Sequence, residues 1–290
     1  MEFNDLLAKA EIDPEQVAVL RHRPTEPRLR EAIALLSLHR PDVYNAYQRS
    51  HGPRVQASLL STEYVASFVG HEPGAALFIG LFKKTGAHHI TVKQYWDKKE
   101  HQELRDMFGM KGYSETRESI MWFDLEPTDF YQEWAGRLVV NWPEPERAWS
   151  RRAHRNSFRV LTIHEEDVRH PPMPPWNEIV WSWDRLHLLS TREKDRLSQW
   201  RGIYYIFDTE ISKGYVGSAG GGNNLLGRWL NYRVSGDGGN KLLKKRDPKN
   251  FIFSILQLVP HDMPLEDLAK VESNWKERLH SREPFGLNAN

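Results

Sequence analysis

The sequence predicts an α+β protein of about two domains, and three observations predict it. Apolar residues at helical spacing dominate the first fifty residues, short apolar runs between Gly and Pro turn signals fill the middle, and the last ninety residues alternate strand, strand, helix, strand, helix. Length gives the domain count, since 290 residues correspond to roughly two domains of ~100–200 residues. With 39% hydrophobic and 27% charged residues, the chain has enough apolar side chains to build cores, and disorder throughout is excluded.

Taken in order, Asn4 is expected to cap a helix from Leu6 to Ala10, and Pro14 to open another from Glu15 to Leu20. Pro27 precedes a helix with Leu29, Ile33 and Leu36 on one face, and Pro41 starts a shorter one through Tyr47. Residues 1–55 therefore read as a helical segment. Runs at Ala66–Val69, Ala75–Phe82, His89–Val92, Ile120–Phe123, Arg137–Trp142 and Phe158–Ile163 predict a β-rich domain over residues 56–170. Five or six short strands with one helix near His101 to Met107 point to a small, partly closed barrel. The prolines of residues 170–175 mark the domain boundary, and residues 171–200 read as a connecting strand and helix.

Composition narrows the function classes. The longest apolar stretch, Ala75 to Phe82, is far short of the ~20 residues of a membrane span, so no membrane partner is expected. The first residues lack a basic segment followed by an apolar run, and a cytoplasmic location is the expectation. With no Cys, disulfides and thiolate metal sites are excluded. The net charge is +1, but residues 201–290 hold 13 Lys/Arg against 10 Asp/Glu, a basic balance compatible with a phosphate-bearing partner.

The chemistry lies in those ninety residues. Gly202 to Phe207 and Tyr215 to Ala219 read as a β-hairpin that presents Tyr204 and Tyr215. Leu225 to Tyr232 reads as a helix on which Arg228 and Tyr232, four residues apart, share a face. Phe251 to Val259 reads as a third strand and Pro264 to Leu279 as a long helix carrying Glu272. The loop Gly220 to Gly222 lacks the Lys-Ser/Thr of a nucleotide-binding loop, so ATP use is not expected.

In this arrangement residues 201–290 resemble the GIY-YIG nuclease family. Gly202-Ile203-Tyr204 matches its first motif and Tyr215-Val216-Gly217 its second, with Val for Ile. Arg228, Tyr232, Glu272 and Asn288 then match the family's helix arginine, its His/Tyr position, its metal-binding glutamate and its late asparagine, in order. The resemblance implies a small antiparallel sheet flanked by helices, a DNA endonuclease activity, and one Mg²⁺ or Mn²⁺ per active site on Glu272. The catalytic set it implies is Tyr204, Tyr215, Arg228, Tyr232, Glu272 and Asn288. The residue types suit phosphodiester hydrolysis. A carboxylate is a hard ligand for a divalent cation, a guanidinium forks onto phosphate, and a phenol can take a proton from water if its pKa of ~10 is lowered. Tyr204 is the choice for that proton acceptor, and Tyr215 orients the water or phosphate. Each residue also has an ordinary use: tyrosines fill strands, and Glu272 can pair with Lys276 at i+4.

DNA contacts are expected from two basic runs, Lys241, Lys244, Lys245 and Arg246 in one, and Arg151, Arg152 and Arg155 in the other. The β-rich domain loosely resembles PUA-like barrels that read modified or flipped bases. Tyr95, Trp96, Trp122 and Trp142 are candidates for the walls of such a pocket. The expected role is restriction of, or defence against, foreign DNA, base-modified DNA included. A repair-type nicking nuclease and a non-catalytic nucleic-acid-binding protein are the alternatives. A homodimer is compatible with one active site that has to cut two strands.

Overall fold

A computed structural model describes residues 1–290 apart from Glu115, Pro171, Asn223 and Asn290. Backbone contacts divide the chain into two units, Met1–Pro171 and Pro172–Asn290. Pro171, one of the prolines read as the boundary, lies outside the described residues.

The first unit runs α1 (Phe3–Lys9), β1 (Val17–His22), α2 (Pro27–His39), α3 (Pro41–Tyr47), α4 (Pro53–Leu60), β2 (Tyr64–Gly70), β3 (Ala75–Ile90), α5 (Val92–Trp96) and α6 (Lys99–Phe108). It continues through β4 (Ile120–Pro127), β5 (Leu138–Asn141), β6 (Ser150–Arg152) and β7 (Val160–Ile163). Its strands form one sheet in the order β6-β1-β2-β3-β5-β7, with β4 also on β3, curled into a half-barrel. β1 and β2 pair in parallel, while the pairs that β3 makes with β2, β4 and β5 are antiparallel. One face packs Phe3, Val19, Phe68, Phe78 and Phe130 into an aromatic core, with Phe3 and Phe68 ring centroids 5.3 Å apart. On the other face Leu20, Val65, Phe82 and Phe123 meet Val55 and Leu59 of α4.

The helix expected over Glu15 to Leu20 is instead one 3₁₀ turn, Pro14–Gln16, followed by β1. All six residues of β1 are buried, and β2 and β6 flank it. A strand buried on both faces shows no alternation, so its apolar run carries no period to separate it from a helix. Asn4 does not cap α1. Glu2 and Asp5 form its capping box, and Asn4 donates from Nδ2 to the Ala153 carbonyl at 2.9 Å. The runs read as two strands at Ala75 and His89 are one strand, and α4 and α5 are additional to the helices expected.

Several functional expectations in this unit also change. Trp122 and Trp142 are core residues, and Trp142 spends its indole N–H on the Ala148 carbonyl at 3.0 Å. Trp96 bonds the Tyr113 carbonyl, and Tyr95 stacks on His101 at 3.8 Å. Arg151 donates to the Pro143 and Pro145 carbonyls, and Arg152 to Ser61 Oγ and the Glu15 carbonyl. Both guanidiniums therefore tie β6 to its neighbours rather than face a ligand. Arg155 is exposed, with its Nε toward His154 Nε2 at 3.0 Å.

Burial holds two imidazoles neutral, His22 at about 3 and His51 at about 4. The unfolded chain takes up those protons near pH 6.5, and the folded chain does so only near the lower values. Stability from this source is complete above pH 6.5 and is lost as pH falls toward 4, at about 1.4 kcal/mol per pH unit for each group. Urea midpoints are therefore expected to fall between pH 7 and 5. An unchanged midpoint over that window would contradict the neutral, buried state.

The second unit contains β8 (Val180–Ser182), α7 (Thr191–Gln199), β9 (Arg201–Asp208), β10 (Lys213–Ala219), α8 (Asn224–Ser235), β11 (Phe251–Val259) and α9 (Leu265–Arg278). Its sheet has the order β10-β9-β11-β8, antiparallel throughout. The segment read as a connector is built into this unit: β8 pairs with β11, and Ile179, Trp181, Leu186 and Leu197 enter the core with Trp229 and Phe253. α8 covers one face of the sheet through Leu225, Trp229 and Tyr232, and α9 the other through Leu268 against Ile203, Val216 and Val259. No helix among the described residues is long and apolar enough to cross a membrane.

Candidate active site

Strand alternation sorts the hairpin's side chains between the two faces. Tyr204 and Ile206 of β9 and Tyr215 of β10 turn toward α8, while Ile203 and Val216 turn toward α9. The α8 face brings three phenols together. Ring centroids lie 6.4 Å apart for Tyr204 and Tyr215, 6.1 Å for Tyr204 and Tyr232, and 6.5 Å for Tyr215 and Tyr232. The Tyr204 and Tyr232 hydroxyls are hydrogen-bonded at 3.2 Å. Arg228, one turn before Tyr232, is half-buried beside them, and its neighbour Tyr204 is the largest influence holding its pKa above the ordinary value.

Two glycines make this approach possible. A Cβ on Gly217 would run into the end of the Tyr204 ring and stand 2.9 Å from Tyr215 Cε1. A Cβ on Gly202 would strike the Gln257 carbonyl oxygen and lie 3.0 Å from Leu258 Cα, where a register shift in β11 brings that carbonyl toward β9. The first glycine of one motif and the last of the other are thus set by backbone and ring clearance.

Electrostatics argue against Tyr204 as the proton acceptor. It has no exposed surface, and desolvation raises its pKa further than Arg228 and the Tyr232 hydroxyl lower it. Tyr232 is raised as well, again first by burial and then by Tyr204 and Tyr215. Both are neutral phenols near pH 7. Tyr215, at 8% exposed, is the phenol that meets solvent.

Glu272 belongs to a second group. Ser218, an odd number of residues from Tyr215, lies on the α9 side of β10, and there its hydroxyl donates to Glu272 Oε2. The Lys276 ammonium pairs with Oε1 at 2.8 Å, which realises the i+4 ion pair weighed from the sequence. The single cluster expected is therefore two groups, phenols with Arg228 on one face and Glu272 with Ser218 and Lys276 on the other, at an edge strand.

No family model matches the chain, and no curated protein does. Among solved structures, the catalytic domain of homing endonuclease I-TevI is similar at 27% identity, over 31% of this chain and 98% of that one, with a TM-score of 0.26.

As a metal site, Glu272 offers one carboxylate, each oxygen of which already accepts from a protein donor. No group of three His, Cys, Asp or Glu that could hold a metal occurs among the described residues. Such a donor set fits a hard cation that keeps its waters and is completed by substrate phosphate oxygens, provided the Lys276 ammonium moves aside.

Asn288 acts on the backbone. It is 2% exposed, its Oδ1 accepts from the Val216 N–H at 2.9 Å, and its Nδ2 donates to the Val216 carbonyl at 2.8 Å. Leu287 adds its N–H to the Gly214 carbonyl at 2.9 Å, so residues 287–288 clamp the outer edge of β10 beside Tyr215. Asn288→Ala strands two buried backbone groups, and thermal unfolding is expected to show a loss of roughly 2–4 kcal/mol. Asn288→Asp keeps the acceptor but sets a carboxylate against a carbonyl, so it is expected to be no better. A melting temperature unchanged in both would remove this role.

Of the basic candidates here, Lys241, Lys244 and Lys245 are exposed. Arg246 is taken up structurally, by Asp208 at 2.6 Å and Glu210 at 2.7 Å. Asp208 is fully buried at the end of β9, and nothing in its sequence neighbourhood signals the need for a counter-ion.

Proposed function

We propose that the second unit is a DNA endonuclease of the GIY-YIG type, hydrolysing a phosphodiester bond at the edge of its sheet near Ser218. One observation carries this reading. Arg228 is a half-buried guanidinium among three phenols, hydrogen-bonded to Tyr204 but with its Nε unpartnered, and no carboxylate pairs with it among the described residues. Unlike Arg151 and Arg152, whose guanidiniums are spent on backbone carbonyls, Arg228 has phenols around it, and its planar fork suits an external phosphate.

In this reading Arg228 binds a non-bridging oxygen of the scissile phosphate and holds it more tightly as charge develops in the transition state. Tyr215 orients the attacking water, and Tyr204 and Tyr232 keep Tyr215 and Arg228 in place through their packed rings and hydroxyls. Glu272, with phosphate oxygens and water, would hold one Mg²⁺ or Mn²⁺, which supplies Lewis acidity and a more acidic water when bound. Lys241, Lys244 and Lys245 follow the flanking backbone. The first unit selects the target, in restriction of foreign DNA, and two copies of the chain serve the two strands.

Supercoiled plasmid incubated with the full chain tests this. Nicked and linear products are expected with Mg²⁺ and none in EDTA, with Glu272→Gln roughly 10²-fold slower. Cleavage in EDTA would remove the metal from the account. Tight DNA binding with intact plasmid under every condition would favour a non-catalytic binding protein.

A further inference from the structure

A cavity of about 310 Å³ opens in the first unit between the end of β1, the α3–α4 connection and the loop after α6. His22, Tyr47, His51, Tyr95, Tyr113 and Trp149 line it. Its volume is at the lower end of the ~300–1,000 Å³ of small-molecule sites, and it has the aromatic lining of such sites. Trp149 is 37% exposed, an unusual position for an indole with no core to fill.

Two side chains in the wall are polar and buried, and each is bonded to Gln48 but keeps one ring nitrogen free. His22 is 1% and His51 7% exposed, and Nε2 of each is buried without a hydrogen-bond partner. Their rings are nearly parallel, with an interplanar angle of 17° and centroids 6.2 Å apart, and the His51 ring lies 5.6 Å from Trp149. A buried ring nitrogen left unpaired costs stability, which a ligand carrying its own donors and acceptors would recover. A neutral imidazole can present either an N–H or a lone pair through its tautomer. Two of them therefore match a partner with mixed donors and acceptors along one edge, and they suit a charged ligand poorly.

We propose that this cavity is a base-binding pocket, in which a planar nitrogen heteroaromatic base stacks on Trp149 and the neighbouring rings and is read by Nε2 of His22 and His51. Its source is a base extruded from a DNA strand, a choice that rests on the nuclease reading of the second unit. A free nucleotide offers the same chemistry. Extrusion costs a few kcal/mol of lost stacking and is cheapest at damaged, modified or mismatched positions, so the pocket selects where the enzyme docks. Among the aromatic walls expected from the sequence only Tyr95 takes part. The decisive groups are His22, His51 and Trp149, which that reading passed over.

The test uses the full chain carrying Arg228→Ala and reads binding alone, so its outcome is independent of whether the protein cleaves. One arm titrates free nucleosides and nucleotides by tryptophan fluorescence. The other measures anisotropy with duplexes carrying a single 5-methylcytosine, 5-hydroxymethylcytosine or mismatch, and emission from 2-aminopurine placed at that position. Tighter binding to an altered duplex is expected, with a rise in 2-aminopurine emission. Trp149→Ala, a partly exposed position that should fold normally, should weaken the preferred probe about ten-fold. His51→Phe should do the same while keeping the ring stack. Saturation by a free nucleotide without preference among duplexes would support the pocket and overturn extrusion. Equal binding of every probe by the parent and both variants would overturn the pocket itself.

Discussion

Arg228→Ala is expected to slow plasmid cleavage by about 10²–10³-fold while leaving the melting temperature nearly unchanged. The two halves of that result have separate causes. Activity falls because the guanidinium is the cation placed to meet charge on the phosphate, and the three phenols around it cannot replace it. Stability nearly holds because the partner left behind is the neutral Tyr204 hydroxyl, which keeps its bond to Tyr232, and no buried carboxylate is left uncompensated. A residue that costs activity but not stability when lost is a mark of a site kept for its ligand. Arg228→Lys should recover little, since a point charge lacks the fork and reaches less far. Wild-type cleavage by Arg228→Ala, with the fold intact by circular dichroism, would take away the observation on which the nuclease reading stands.

Gly202→Ala is expected to have the largest effect on folding of any single methyl group added to the hairpin. The added Cβ meets the Gln257 carbonyl and Leu258 Cα, which are backbone atoms held by the β9–β11 ladder and cannot turn aside. A cost of about 3 kcal/mol follows, near the upper end for overpacking, and a fall of roughly 10 °C in unfolding temperature for a unit of this size. Gly217→Ala provides the contrast. Its obstacle is the tip of a side chain, Tyr204, which can tilt at smaller cost, but the tilt would break the bond to the Tyr232 hydroxyl and displace the phenols around Arg228. Denaturation curves and cleavage rates on both variants should therefore rank in opposite order, Gly202→Ala worse in stability and Gly217→Ala worse in activity per unit of stability lost. The same ranking by both measures would mean that the two glycines serve only packing.

The hairpin is legible because a turn signal at residues 212–214 separates two short apolar runs, and β11 because its burial alternates along most of its length, while the order of the motif residues singles out the candidate site. What could not be read is what depends on partners distant in sequence. β1 looks helical beside Pro14 and becomes a strand only through β2 and β6. Arg151, Arg152 and Arg246 look like a phosphate-binding surface until carbonyls and the buried Asp208 claim them. Tyr204 looks like a base until its complete burial is known, and Asn288 looks catalytic until Val216 takes both ends of its amide. The division of Glu272 from Arg228 follows from a simple parity along β10, but only once its partner Ser218 is identified.

The placement of β1 also bears on how the first unit is made. It is synthesised before both of its neighbours: its parallel neighbour begins at Tyr64, and the other, Ser150–Arg152, follows only after most of that unit. Until then one flank of a strand that ends up wholly buried is open to any passing chain, and pairing so remote in sequence forms slowly. Nascent chains stalled before residue 150 should therefore be clients for chaperones and prone to clumping, whereas those released beyond it should not.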